Sequence, residues 1–143
     1  MRRVTNERGA ALLEVALTLP LLLLVAAGIF EFGRAYQTQQ VLTNAVREGA
    51  RVAVLPNQPS GAAETRVTTY LAAGQLPNVG SATVTVTPTT ISLGGATTPG
   101  SRVTVNYPFS FMVLQPVARL VVGNSNLGTA LTMSASAEMR NEQ

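Results

Sequence analysis

Between Ala10 and Phe30 the chain carries a single ionisable side chain, the carboxylate of Glu14, among leucines, valines and alanines. A carboxylate can accept hydrogen bonds, carry a proton or neutralise a cation. All three roles are costly to place in hydrocarbon, so an ionisable residue in a membrane-length run marks a functional site by default. Glu14 is the fifth residue after Gly9, and Gly9 closes a basic leader, residues 1–9, in which Arg2, Arg3 and Arg8 face Glu7 alone.

Little else in the chain can do chemistry. The 143 residues include no cysteine, histidine, aspartate or lysine. Disulfides and thiolate metal sites are therefore excluded, a zinc centre lacks its nitrogen and sulfur ligands, and a Ser–His–acid triad lacks its base. No glycine-rich phosphate loop with its lysine is present; Gly94-Gly95 and Pro99-Gly100 read as loop. Glu31, Glu48, Glu64, Glu138 and Glu142 are scattered rather than paired. The expectation is no enzyme, no cofactor, no metal and no small-molecule substrate. Ten arginines stand against seven glutamates, but much of the excess lies in the leader. The nearly neutral remainder lacks the clustered basic footprint of a nucleic-acid binder.

The element that positions Glu14 is expected to be a transmembrane helix. Ala10–Phe30 has 21 residues, roughly 31 Å as a helix against a hydrocarbon core of about 30 Å. Lipid offers the backbone no partners, which favours a helix. Pro20 removes one of its hydrogen bonds, usually with a kink. The basic flank predicts a cytoplasmic N-terminus and an extracytoplasmic C-terminal part. A secretory signal peptide cut after Val25-Ala26-Ala27 is an alternative, but its apolar region is ordinarily about 7–15 residues long and free of acids. A plain anchor is another, and it leaves Glu14 unexplained.

The helical pattern continues through 31–55. Leu42, Ala45, Val46, Gly49 and Ala53 form one apolar stripe, with Arg34, Gln37, Arg47, Glu48 and Arg51 off it. Glu31–Arg34 and Glu48–Arg51 are spaced as helical ion pairs. Pro56 and Pro59 end the helix. Ser60 is the expected N-cap of a short helix over 60–73, with Glu64 in its first turn. From there the apolar period becomes two, which predicts strands at about 82–93, 101–107 and 129–139, the first two joined by a loop at Gly94–Gly100. Residues 109–122 are apolar but broken by Pro116 and Arg119. They are expected to form a connection with a strand or a short helix packed on the sheet, or else to expose an apolar patch to a partner. The fold class is α+β and membrane-anchored: a long N-terminal helix, transmembrane then amphipathic, covering a small antiparallel sheet in a pilin-like layout.

The residues resemble a known family. A basic leader, Gly9, Glu14 and a long helix followed by a small sheet are similar to type IV prepilins and pseudopilins. The finer resemblance is to the TadE-like proteins of tight-adherence (Flp) pilus assembly. It rests on Arg8-Gly9-Ala10-Ala11-Leu12-Leu13-Glu14, Leu19-Pro20, Gly28-Ile29-Phe30-Glu31-Phe32-Gly33-Arg34, Ala45-Val46-Arg47-Glu48-Gly49-Ala50-Arg51 and Met139-Arg140-Asn141-Glu142. The strongest motifs lie within the first 51 residues.

The resemblance implies insertion in a bacterial cytoplasmic membrane and cleavage between Gly9 and Ala10 by a prepilin peptidase, to which Gly9 presents unobstructed backbone. It also implies partnership with other pilin-like subunits and Tad assembly proteins. Glu14 would compensate the new terminal amine of a neighbouring subunit, and Glu31-Phe32-Gly33-Arg34 would mark the membrane exit. Ala10 stands where many major pilins have phenylalanine, a departure that puts N-methylation in doubt. Glu14 lies close to the cytoplasmic edge, where a charge costs less than at the bilayer centre. That depth favours acceptance of an amine over a proton relay or a substrate ligand. The competing reading is a single-pass anchor that displays a small β-rich binding domain and has no pilus role.

Overall fold

The computed structural model describes residues 7–121 and 129–141. Most of the leader, Glu142 and the end of the apolar 109–122 stretch lie outside the described residues. The elements run α1 (Glu7–Ala53), α2 (Ala62–Ala73), a single 3-10 turn (Val79–Ser81), β1 (Thr83–Leu93), β2 (Ala96–Phe109), α3 (Leu114–Val121) and β3 (Leu131–Arg140). The chain divides into two compact units. One comprises residues 1–33 and 111–129, the other 34–110 and 130–143.

In the second unit, a three-stranded antiparallel sheet of order β1-β2-β3 carries the C-terminal part of α1 and all of α2. Valine-rich alternation makes the strands. Val103, Val105, Tyr107 and Phe109 of β2 are buried, and the residues between them are not. Val84 and Val86 pair with Val105 and Val103 across one seam, and Ala135 pairs with Val105 across the other. The apolar face is therefore continuous over all three strands. On the opposite face, Arg102 of β2 stands across from Glu138 of β3 and forms an ion pair with it.

The helical cover is built on small residues. Leu42, Ala45, Val46, Gly49 and Ala50 of α1 are buried, as are Ala63, Val67 and Leu71 of α2. A Cβ on Gly49 would lie 2.4 Å from Val67 Cγ2 and 3.4 Å from Val103 Cγ1, so glycine here lets helix, helix and strand close together. Gly74, just past α2, meets Val41 in the same way at 2.6 Å. Glu48 ties the two helices at the surface, with Arg66 at 3.3 Å and Arg51 at 3.5 Å.

Three local expectations need correction. The N-cap of α2 is Gly61, at φ 82, not Ser60, and no side chain caps it. Helix α1 ends at Ala53, ahead of Leu55. The Gly94–Gly100 loop reduces to a two-residue turn, Gly94-Gly95, with φ 57 and 96. Positive φ at both central residues suits the right-handed twist of a hairpin. The residues after it, Ala96 to Gly100, already belong to β2. They are polar or small on both faces, so no alternation betrayed them.

Candidate functional site

The first unit holds the residues singled out for membrane chemistry except Arg34. From Ala10 to Val25 the side chains of α1 are exposed, with Leu12 at 73%, Leu17 at 70% and Leu22 at 63%. This is the one described helix long and apolar enough to cross a membrane, and only 6% of its most apolar stretch is buried within the protein. A core helix of a soluble domain would be largely covered. The apolar surface left open here is what hydrocarbon would cover.

The helix runs unbroken through Pro20. Just before Pro20, the Thr18 hydroxyl donates to the carbonyl of Glu14 at 2.9 Å. The only hydroxyl within Ala10–Phe30 is thus satisfied inside its own helix, as lipid requires. Gly9, Ala10 and Glu14 all lie in α1, with Glu14 exposed and one helical turn beyond Ala10. Among the described residues no donor contacts the Glu14 carboxylate.

At the far end of the apolar run the four residues Glu31, Phe32, Gly33 and Arg34 are placed differently from one another. Phe32 is 70% exposed, and Gly33 has no neighbour within 4 Å of a Cβ position. Glu31 is fully buried. Its Oε1 accepts from the backbone N–H of Met112 at 2.6 Å and of Val113 at 2.5 Å. These N–H groups belong to the two residues that lead into α3, next to a helix start whose donors lack helical acceptors. A carboxylate there satisfies two donors at once and faces the positive end of the helix. Pro116 fits the same turn, where its missing N–H costs nothing. Sequence reasoning named Glu31 but not its partners, which are 81 and 82 residues away.

Arg34 belongs to the second unit. Its guanidinium lies 5.1 Å from the centre of the Phe109 ring, a cation–π distance. Nearby, the Tyr107 hydroxyl donates to the carbonyl of Pro77. Burial holds the Tyr107 phenol above its ordinary pKa of 10.0, and the Arg34 charge offsets part of that rise. Neither contact assembles a reactive group. Among the described residues no three acids, histidines or cysteines come together to hold a metal.

Fold and site together define an α+β protein: one exposed apolar helix, long enough to span a membrane, that continues into the cover of a three-stranded antiparallel sheet. The model of the TadE-like protein family matches residues 9–51, so the resemblance read from the motifs of α1 holds over that segment. The match lies wholly within α1 and suggests a Tad pilus-related component. No curated protein matches the chain. No solved structure matches it either.

Proposed function

We propose that this chain is a pseudopilin or minor-pilin-like component of a Tad (Flp) pilus assembly or secretion apparatus. It is anchored in the bacterial cytoplasmic membrane by residues 10–30, with a cytoplasmic N-terminus, and a prepilin peptidase cuts it between Gly9 and Ala10. The observation that carries this reading is the TadE-like match over residues 9–51, which covers Gly9, Glu14 and the whole exposed apolar stretch of α1. The cut creates an amine at Ala10. The Glu14 carboxylate of a neighbouring subunit, about one helical turn in, answers that charge. Two unit charges about 4 Å apart attract by roughly 4 kcal/mol at an effective dielectric of about 20. Such a pair favours docking in one register.

Mass spectrometry of the membrane-extracted protein tests the cut. Cells that express the cognate peptidase should yield a chain beginning at Ala10, and an intact leader in those cells would sink the cleavage reading. A second reading, a single-pass anchor displaying a β-rich binding domain, is favoured by one fact: the family match stops at residue 51 and leaves the sheet unmatched. Replacing Ala10–Phe30 with an unrelated apolar helix separates the two. Function survives the exchange if the segment only anchors, and is lost if it assembles.

A further inference from the structure

The apolar stretch after β2 is not absorbed by the pilus reading, and its placement assigns it a ligand. Glu31 is the first residue past the 10–30 span. Its carboxylate lies 2.6 Å from the Met112 N–H and 2.5 Å from that of Val113. Two hydrogen bonds to one carboxylate fix the start of α3 at the depth of Glu31, within the first unit that holds both. If residues 10–30 cross the bilayer, that depth is the outer boundary between hydrocarbon and headgroups. The side chains there are not those of a water-facing loop. Met112 is 65% exposed, Phe32 70%, Phe30 56% and Ile29 71%. Arg119, in the last turn of α3, is exposed and is the one charged residue from Ser110 to Val121. Exposed aromatic and thioether groups, followed along α3 by one exposed arginine, match an interface that offers acyl chains on one side and phosphates on the other.

We propose that Met112, Phe32 and the start of α3 form a second membrane contact, lying in the outer lipid interface and clamped to the spanning helix by Glu31. The contact rests on the spanning reading of residues 10–30 and goes beyond it. A protein partner on this patch is the competing occupant. Lipid is favoured because the patch is continuous with the exposed face of the span through Ile29, Phe30 and Phe32.

The absence of cysteine makes the test direct. Single variants Leu22→Cys, Phe32→Cys and Met112→Cys of the full chain are labelled with an environment-sensitive fluorophore. They are placed in vesicles of phosphatidylcholine with a minority of phosphatidylglycerol. Doxyl quenchers are carried either near the headgroup or near the chain end, and iodide serves as the aqueous quencher. The inference expects the Met112 and Phe32 labels to lose fluorescence to the shallow doxyl lipid and to be shielded from iodide, with the Leu22 label quenched by the deep one. A Leu22 label in lipid with a Met112 label open to iodide and untouched by either lipid quencher overturns the interfacial contact alone. The same holds for a Met112 label shielded from all three quenchers, the result a protein partner would give. A Leu22 label open to iodide overturns the spanning reading, and this inference with it. Because Met112 meets Glu31 through its backbone, its side chain can be replaced without breaking the clamp, and Phe32→Cys reports independently of it.

Discussion

At the scale of single residues, Glu31 is the most consequential side chain outside Glu14. It is fully buried, and Oε1 serves two backbone donors at the start of α3. Hydrogen bonds to charged groups contribute about 1.5–3 kcal/mol each, and a buried donor left without a partner costs about 1–3 kcal/mol. Glu31→Ala should therefore release the start of α3. Hydrogen exchange at Met112 and Val113 should speed up roughly thirtyfold for a loss of about 2 kcal/mol. Glu31→Gln keeps an acceptor oxygen and should fall between. Unchanged exchange in Glu31→Ala would mean that the clamp contributes nothing. Tyr107 yields a pH prediction. Its pKa is raised by burial, less the opposing effect of Arg34, so the folded state holds the phenolic proton more tightly than the unfolded chain. That contribution is full below the ordinary pKa of 10.0 and is lost as pH rises through the higher folded value. Tyr107→Phe should lose about 1 kcal/mol at neutral pH with the bond to Pro77, and should flatten the fall in stability above about pH 10. Alkaline unfolding followed by circular dichroism, for both chains in the same detergent, checks this. Glu14 and Glu31 were legible because a charge in or beside an apolar run is conspicuous. The partners of Glu31 were not, because backbone N–H groups leave no mark in a sequence.

At the scale of elements, the apolar period did most of the work and fails where polarity masks it. Of the expected stripe, Leu42, Ala45, Val46 and Gly49 are buried in α1 while Ala53 is half-buried and Ala50 is buried beside them, and the alternating valines of β1 and β2 are the sheet. The start of β2, Ala96 to Gly100, stayed hidden because threonine and glycine on both faces carry no alternation. Helix α3 was one of two readings, strand or short helix, because eight residues are too few to establish a period. A stripe also does not reveal how close its neighbour comes, and at Gly49 that distance decides the packing. Gly49→Ala gains up to about 1 kcal/mol of helix propensity. It also forces a Cβ to 2.4 Å from Val67 Cγ2, and overpacking of this kind costs about 1–3 kcal/mol. The net effect should be destabilising. Val67→Ala removes the clashing methyl, so the double variant should be more stable than the sum of the two single changes by at least about 0.5 kcal/mol. Chemical denaturation of the four chains measures the coupling. Strict additivity would show that α1 and α2 adjust their spacing instead.

At the scale of the whole molecule, the proposed assembly depends on two groups that do not exist together until the chain is processed. The carboxylate of Glu14 is present from synthesis, whereas the amine at Ala10 appears only when the bond after Gly9 is cut. If the two form one intersubunit pair, removing either end removes the same interaction. Glu14→Gln leaves an amine without its counter-charge. Gly9→Leu, which places bulk at the scissile bond, should leave the leader attached and the carboxylate unanswered. Each variant should insert normally, because neither adds charge to the apolar run. Each should also lose association with the other pilus subunits, tenfold for every 1.4 kcal/mol or so of the pair's net strength. The double variant carries the decisive expectation: it should associate no more weakly than the worse single variant, because the second change has nothing left to break. Quantitative co-purification from membranes measures association, and mass spectrometry of the same samples verifies that Gly9→Leu is uncut. Losses that add in the double variant would show that Glu14 and the cleavage site act separately, and would remove charge compensation as the reason for the carboxylate.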